Sequence, residues 1–330
     1  MVAKRHHFIP QCYLKCFTAP RRKKRQIMVF DRRDGRCYPA GIDNIAVEKD
    51  FNRVELEGYA PDALEAQMSK FEGELAPVLD HIIAARSISD TESRSYVMNL
   101  MGLLALRNPR QRENWRQAQE QTVRIIGDLI RSSPEAWNSH LQRARRDGFV
   151  SSDGEASSYE AMRRFVDEGN FTVEVPTTRH VAMEMSALDT IIPLLGQRRW
   201  MLVRATADTG GFVTSDHPVC LMWSYPGLRG QGPYSPGFGL RRTQVVFPIS
   251  HALAVLGAFE IDEEERDGDA GLVAAINSTV IGYADRHVYA RDDRFLYTGE
   301  QGEVRKGSRL AGERWFRMRS TSNNKPVHQA

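Results

Sequence analysis

Trp200-Met201-Leu202-Val203-Arg204-Ala205 opens the stretch whose reading decides the fold class. Further short apolar runs follow at 211–214, 219–223, 243–247 and 252–257. Each is short, rich in Val, Leu, Ile or Phe, and bounded by Gly, Pro or Asp, which is the pattern of strands. On the N-terminal side of this stretch the pattern is helical. Over 61–86, Leu64, Met68, Phe71, Leu75, Leu79 and Ile82 recur every three or four residues. Ser89 with Glu92 predicts a capping box for a second helix, whose apolar face carries Val97, Leu100, Met101 and Leu104. Pro109 interrupts that helix, a continuation reaches Ser132, and Pro134 restarts a polar helix to about Arg146. Residues 148–158 read as an exposed loop, and 179–195 as a further helix.

Farther out, a short helix with Pro10 in its first turn ends near Phe17. Strands at 27–31 and 36–39 flank Asp34-Gly35, a hairpin signal. Past the decisive stretch, 271–284 reads as a helix and 287–290 as a strand. The expectation is α+β: a mostly antiparallel sheet, with a large helical cluster inserted between an N-terminal hairpin and the C-terminal strands. The reading gives one integrated domain over 1–300, with helices at about 61–195 and the sheet at 26–40 and 198–298. Residues 301–330 read as a basic, partly flexible tail.

Composition narrows the class. Hydrophobic residues are 41% and charged residues 26% of 330, the balance of a globular chain able to bury its own core. No apolar run reaches the roughly 18 residues of a membrane span. The basic start has no apolar signal core behind it, which points to the cytoplasm. Four cysteines, Cys12, Cys16, Cys37 and Cys220, are too few for a secreted disulfide framework, and reduced thiols are expected. The net charge is +3 and unevenly spread, with a basic run at Arg21–Arg25 and an acid-poor tail beyond Arg305. Such patches meet nucleic acid, another phosphate-bearing substrate or acidic lipid headgroups, or serve as a solvated loop and a frayed tail. Pro226–Gly239 is a Gly/Pro-rich loop beside Tyr225, with Tyr234 and Phe238 within it, long enough to suggest a functional segment. There is no phosphate-cradling GxxxxGK[ST], no GxGxxG after a strand, no HExxH and no GxSxG, so no nucleotide cofactor is expected.

The opening His6-His7-Phe8-Ile9-Pro10-Gln11-Cys12-Tyr13-Leu14-Lys15-Cys16-Phe17 resembles the start of the domain of unknown function 4238 family. Further matches fall at Asp43-Asn44-Ile45, Lys49-Asp50-Phe51, Arg107-Asn108-Pro109-Arg110 and Phe212-Val213-Thr214-Ser215-Asp216-His217-Pro218. Phe247-Pro248-Ile249-Ser250 and residues 277–287 extend the resemblance over most of the chain. It implies one integrated fold in an intracellular setting and supplies no reaction.

The same segments hold the candidate chemistry. His6 and His7 precede a helix N-terminus, where the dipole disfavours an imidazolium and leaves the neutral ring a base or ligand needs. His-His before proline also resembles the opening of His-Asn-His nucleases, with Asn44 or Asn52 as stand-in asparagine. Asp216 is expected to project from a sheet edge as a metal ligand or orienter, or to tie up local backbone N–H groups in an Asx-turn. Arg107 and Arg110 read as a phosphate clamp, whereas Arg112 and Arg116 read as ion-pair partners of Glu113, Glu120 or the acidic helix bearing Glu65, Glu72 and Glu74. Cys12, Cys16, Cys37 and a histidine have zinc-ligand chemistry without zinc-module spacing, and buried thiols fit better.

Two functions follow. The first is a metal-dependent phosphodiesterase or nuclease acting on nucleic acid. His7, Asp216, Arg107 and Arg110 would be catalytic, His6, His7 and Asp216 would hold a divalent metal, and Ser215, His217 and Tyr13 would contact substrate. The alternative is a non-catalytic ligand-binding or regulatory protein whose polar motifs are structural. The first requires the His pair and the Thr-Ser-Asp-His-Pro turn to converge. The second requires each polar group to be buried and bonded within the protein.

Overall fold

The structure, a computed structural model, describes residues 5–19, 26–151, 157–169, 171–225 and 235–317. The basic run at 21–25, residues 226–234 of the Gly/Pro loop and the tail beyond 317 lie outside the described residues. The chain divides into two compact units, Met1–Arg110 with Thr177–Ala330, and Gln111–Pro176.

The larger unit is built on two sheets. One has five strands in the order β10-β5-β9-β8-β7 and the other four in the order β3-β2-β11-β6. Their strands are β2 (Gln26–Asp31), β3 (Arg36–Gly41), β5 (Arg199–Ala205), β6 (Thr214–Ser215), β7 (Cys220–Trp223), β8 (Thr243–Ser250), β9 (Leu253–Ala258), β10 (Glu264–Gly268) and β11 (His287–Ala290). Two-stranded pieces pair β1 (Arg5–His7) with β4 (Val47–Lys49), and β12 (Leu296–Thr298) with β13 (Val304–Lys306). Among the described residues every pairing is antiparallel except β10 with β5. The α+β reading stands.

Alternation along the strands sends side chains to two cores. Leu202, Val245, Phe247 and Val255 join one cluster, while their neighbours Val203, Val246 and Ala254 join the other. The first cluster takes in α1 (Gln11–Lys15), α2 (Ala63–Ala85) and α3 (Thr91–Leu106) through Tyr13, Leu79 and Met101. The second forms around α8 (Ala270–Tyr283), with Val273, Ile276, Val280 and Ile281 buried. A sheet buried on both faces needs continuous apolar runs, which is why its strands read so clearly.

The Asp34-Gly35 hairpin forms as expected, with Gly35 at φ +68° and its N–H donating to Asp31 O at 2.9 Å. Pro109 separates α3 from α4 (Pro109–Ile130). The cap of α3 differs from the sequence reading: Asp90 caps it, Oδ1 accepting from Ser93 N–H at 2.8 Å, and Ser89 instead accepts from the Ser87 hydroxyl. The expected tail also differs. Residues 304–317 join the larger unit through β13, a 3₁₀ turn over Gly307–Gly312 and the fully buried Leu310 and Phe316.

Gln111–Pro176 contains most of α4, then α5 (Pro134–Arg146) and α6 (Tyr159–Glu168). The expected helical part therefore divides, with α2, α3 and α7 (Thr177–Gly196) belonging to the sheet unit. In the smaller unit Arg116 pairs with Glu113 and Glu120 at 2.8 Å, as their spacing predicts. The Phe165 and Phe171 rings stack at 5.2 Å. No helix among the described residues is long and apolar enough to cross a membrane.

Candidate functional site

β1 places His6 and His7 on opposite faces of a short ribbon. His6 is buried, and its Nδ1 accepts from Asn52 N–H at 3.0 Å. His7 is half-buried and both ring nitrogens are engaged, Nε2 with Ile42 O and Nδ1 with the Gln11 side-chain amide, each at 3.3 Å. A carbonyl can only accept, so the proton sits on Nε2. Burial pushes the His7 pKa down, opposed by Ile42 O, so the neutral ring anticipated from a helix dipole arises mainly from desolvation.

Arg107 is 1% exposed. It donates to Asn52 Oδ1 and to Met68 Sδ (3.4 Å), lies 3.5 Å from Glu184 Oε2 and covers the Phe51 ring at 5.7 Å. Its charge is matched inside the fold. Arg110 is exposed, donates to Tyr283 O at 3.2 Å and stacks over that ring at 5.5 Å. His217 stacks on the same Tyr283 ring at 4.9 Å, and burial, with help from Arg110, pushes its pKa down to about 4.

Asp216 is 7% exposed, and its carboxylate is fully occupied by backbone. Oδ1 accepts from Asp285 N–H at 2.8 Å, and Oδ2 from Arg286 and His287 N–H at 2.7 Å each. These three consecutive donors form the turn that carries α8 into β11. Successive N–H groups converging on one anion form a nest, and Asp216 is its anion. Burial pushes the Asp216 carboxyl upward against the pull of those donors. The expected Asx-turn is thereby corrected, because the partners lie some seventy residues along the chain.

The expected substrate contacts are internal as well. Ser215 is fully buried and its Oγ accepts from His217 N–H at 3.2 Å. Tyr13 is fully buried, its hydroxyl donating to Pro248 O at 2.7 Å and accepting from Thr214 Oγ1 at 2.8 Å. Its ring stacks on Phe247 at 5.4 Å. Tyr13 thus joins the first helix to β6 and β8 as a strut.

A divalent metal does not fit this residue set. Among the described residues no group of three or more His, Cys, Asp or Glu side chains is placed to hold one. His6, His7 and Asp216 are committed to Asn52 N–H, Ile42 O and the 285–287 turn. Cys12 and Cys16 behave as shielded thiols: burial raises their pKa values to about 12, and neither is in a disulfide.

The two segments nevertheless converge, through other residues. A chamber of about 310 Å³ is lined by Phe8, Asn44, Pro109, Asp216, His287 and Tyr289, among others, while His6, His7, Arg107 and Arg110 are absent from its walls. At its edge stands a pair that sequence reading missed. His287 Nε2 lies 3.3 Å from Asp31 Oδ2, and Asp31 is 1% exposed. Arg286 grips the same carboxylate through Nε and Nη2, at 3.1 and 2.7 Å to Oδ2, and Arg33 N–H donates at 2.8 Å. Burial opposes these contacts, yet they hold the Asp31 carboxyl below its usual range. Among the described residues nothing hydrogen-bonds His287 Nδ1. The available signal was weak: Asp31 ends a strand and His287 begins one, and only antiparallel pairing sets them side by side.

The segments that meet here span nearly the whole match to the family model described as a protein of unknown function, DUF4238, which covers residues 5–294. The chain belongs to that family. No curated protein and no solved structure matches it. In this family member the His-His opening and the Thr-Ser-Asp-His-Pro turn both supply chamber walls, through Phe8 and Asp216.

Proposed function

We propose that the protein is a ligand-binding protein whose polar motifs build the chamber beside Asp216 and carry out no hydrolysis. One observation carries this reading: the Asp216 carboxylate spends both oxygens on three backbone N–H groups, leaving it poorly suited to a metal or a reacting water. His7 supports it, with both nitrogens engaged. The chamber chemistry favours a small ligand with an apolar body and hydrogen-bond donors. Phe8, Val29 and Ile45 supply apolar wall, while Asp285 and Asn44 supply acceptors. A phosphodiester would meet carboxylates there, with Arg286 already bound to Asp31. We place the protein in the cytoplasm, the compartment that suits four unpaired thiols.

The test pairs binding with cleavage. Isothermal titration against small amine- and hydroxyl-bearing aromatic compounds is run beside a plasmid-cleavage assay with Mg²⁺ or Mn²⁺. His287→Ala and Asn44→Ala are expected to stay folded and lose binding, with no cleavage by wild type. Metal-dependent cleavage that vanishes in a well-folded Asp216→Asn variant would overturn the reading and restore the phosphodiesterase.

A further inference from the structure

A second recess, of about 490 Å³, lies where β11 ends. Its four cations come from three separate segments. Arg86 is the left-handed C-cap of α2, Arg291 and Arg294 follow β11, and Lys306 sits in β13. Asp208 is the one acid in the lining, and it accepts from the Thr206 hydroxyl at 2.6 Å. Arg294 is matched by Asp292, at 3.0 and 2.6 Å. Arg291 and Lys306 have no ion pair or side-chain hydrogen bond among the described residues, and Arg86 has only a long contact to Ala205 O at 3.5 Å. Other arginines of this protein are matched, Arg204 by Glu265, Arg286 by Asp31 and Arg305 by Glu313. Cations gathered around a recess raise the local positive potential, and a bound anion relieves it.

The neutral wall is rigid. Gly210 and Gly211 are consecutive left-handed residues, φ +70° and +83°. A Cβ on Gly210 would clash with Arg294 O, and one on Gly211 with the His251 ring. The fully buried Asn277 fixes this wall by donating to Gly211 O (3.0 Å) and Leu296 O (2.8 Å) and accepting from Val213 N–H (3.0 Å). Phe212 N–H donates to His251 O at 2.8 Å, which holds the histidine over the glycines. Burial first, then Arg291 and Arg294, push His251 down to about 4, so its ring faces the recess neutral near pH 7.

We infer that this recess binds a small phosphate monoester, with Arg291 and Lys306 taking the phosphate and Arg86 and Arg294 completing the positive wall. Guanidinium forks suit tetrahedral oxyanions through paired N–H donors. The volume exceeds what a bare phosphate fills and lies within the roughly 300–1,000 Å³ of small-molecule sites, leaving room for an organic group. A concave recess also fits a discrete ligand better than a polymer, which needs a stripe of phosphate contacts.

The experiment is isothermal titration of the full chain with ribose 5-phosphate, inorganic phosphate and unphosphorylated ribose at fixed ionic strength. Wild type is expected to bind both phosphates saturably and ribose not at all. Arg291→Glu and Lys306→Glu should each weaken binding roughly tenfold or more, while Lys70→Glu, on the exposed face of α2, should leave it unchanged. Arg291→Gln serves where Arg291→Glu alters the circular dichroism spectrum. Absence of saturable binding to both phosphates overturns the proposal, as does an equal loss in Lys70→Glu, which marks bulk screening. A single-stranded oligonucleotide that binds more tightly than either phosphate through Arg291 and Lys306 also overturns it, in favour of a nucleic-acid surface.

Discussion

β11 carries a polar site at each end, and the two ends handle charge in opposite ways. At its start Asp216 and Asp31 are buried, and their oxygens are taken by backbone N–H groups, Arg286 and His287. Past its end Arg291 and Lys306 stand at an open recess with no acid partner among the described residues. The first arrangement stabilises the fold, because a buried carboxylate persists only when its hydrogen bonds are made. The second contributes little to the fold and leaves positive potential for something outside it. Residues with the most suggestive chemistry in the sequence are therefore hydrogen-bonded within the fold, whereas Arg291 and Lys306, which carry no motif, face the open recess.

The comparison breaks most decisively at Asp216. Asp216→Ala strands three backbone N–H donors of the 285–287 turn and is expected to cost roughly 3–5 kcal/mol, read as a lower urea midpoint. Asp216→Asn should recover part of this through its remaining carbonyl oxygen. A loss under about 1 kcal/mol would mean that this end is not sealed by its hydrogen bonds.

Acid should weaken both ends through their histidines. His217 and His251 each have a folded pKa of about 4, against about 6.5 in an unfolded chain. A depressed folded pKa means that protons bind the unfolded state first. Stability is full above about pH 6.5 and falls by up to about 3 kcal/mol per histidine as pH drops toward 4. Denaturation midpoints across that window should flatten in His217→Gln. An unchanged slope would show that this ring does not titrate as its burial requires.

Gly211→Ala tests the rigid wall of the basic recess. A Cβ there meets the His251 ring in a left-handed backbone, and a loss of roughly 2–3 kcal/mol is expected in thermal unfolding. The smallest effect sharpens the contrast. Arg291→Ala should change folding stability by no more than about 0.5 kcal/mol, and a larger loss would reveal a structural role that the recess model denies.

Much of the fold was legible from residues. Leu202, Val203, Val245, Val246 and Phe247 face two cores in alternation, so their runs were unbroken and easily read as strands. β10, Glu-Glu-Arg-Asp-Gly, gave no such signal, because an exposed edge strand carries charge where a central strand carries aliphatic groups. β1 and β4, three residues each, are too short to show a period. Asp90 capped α3 in place of Ser89, a one-residue choice that local sequence leaves open.

The site was legible in its parts and not in its connections. Pattern alone marked His6, His7, Arg107 and Asp216 as unusual, and each proved buried or half-buried with internal partners. It could not say which partners, because Asp216 bonds to 285–287 and Asp31 meets His287 only after β2, β11 and β6 align. Local periodicity and turn chemistry determined the elements, since those forces act within a few residues. Tertiary structure alone decided which charges were saturated and which were left facing a recess, because hydrogen bonds and Coulomb forces depend on distances that folding sets between remote segments.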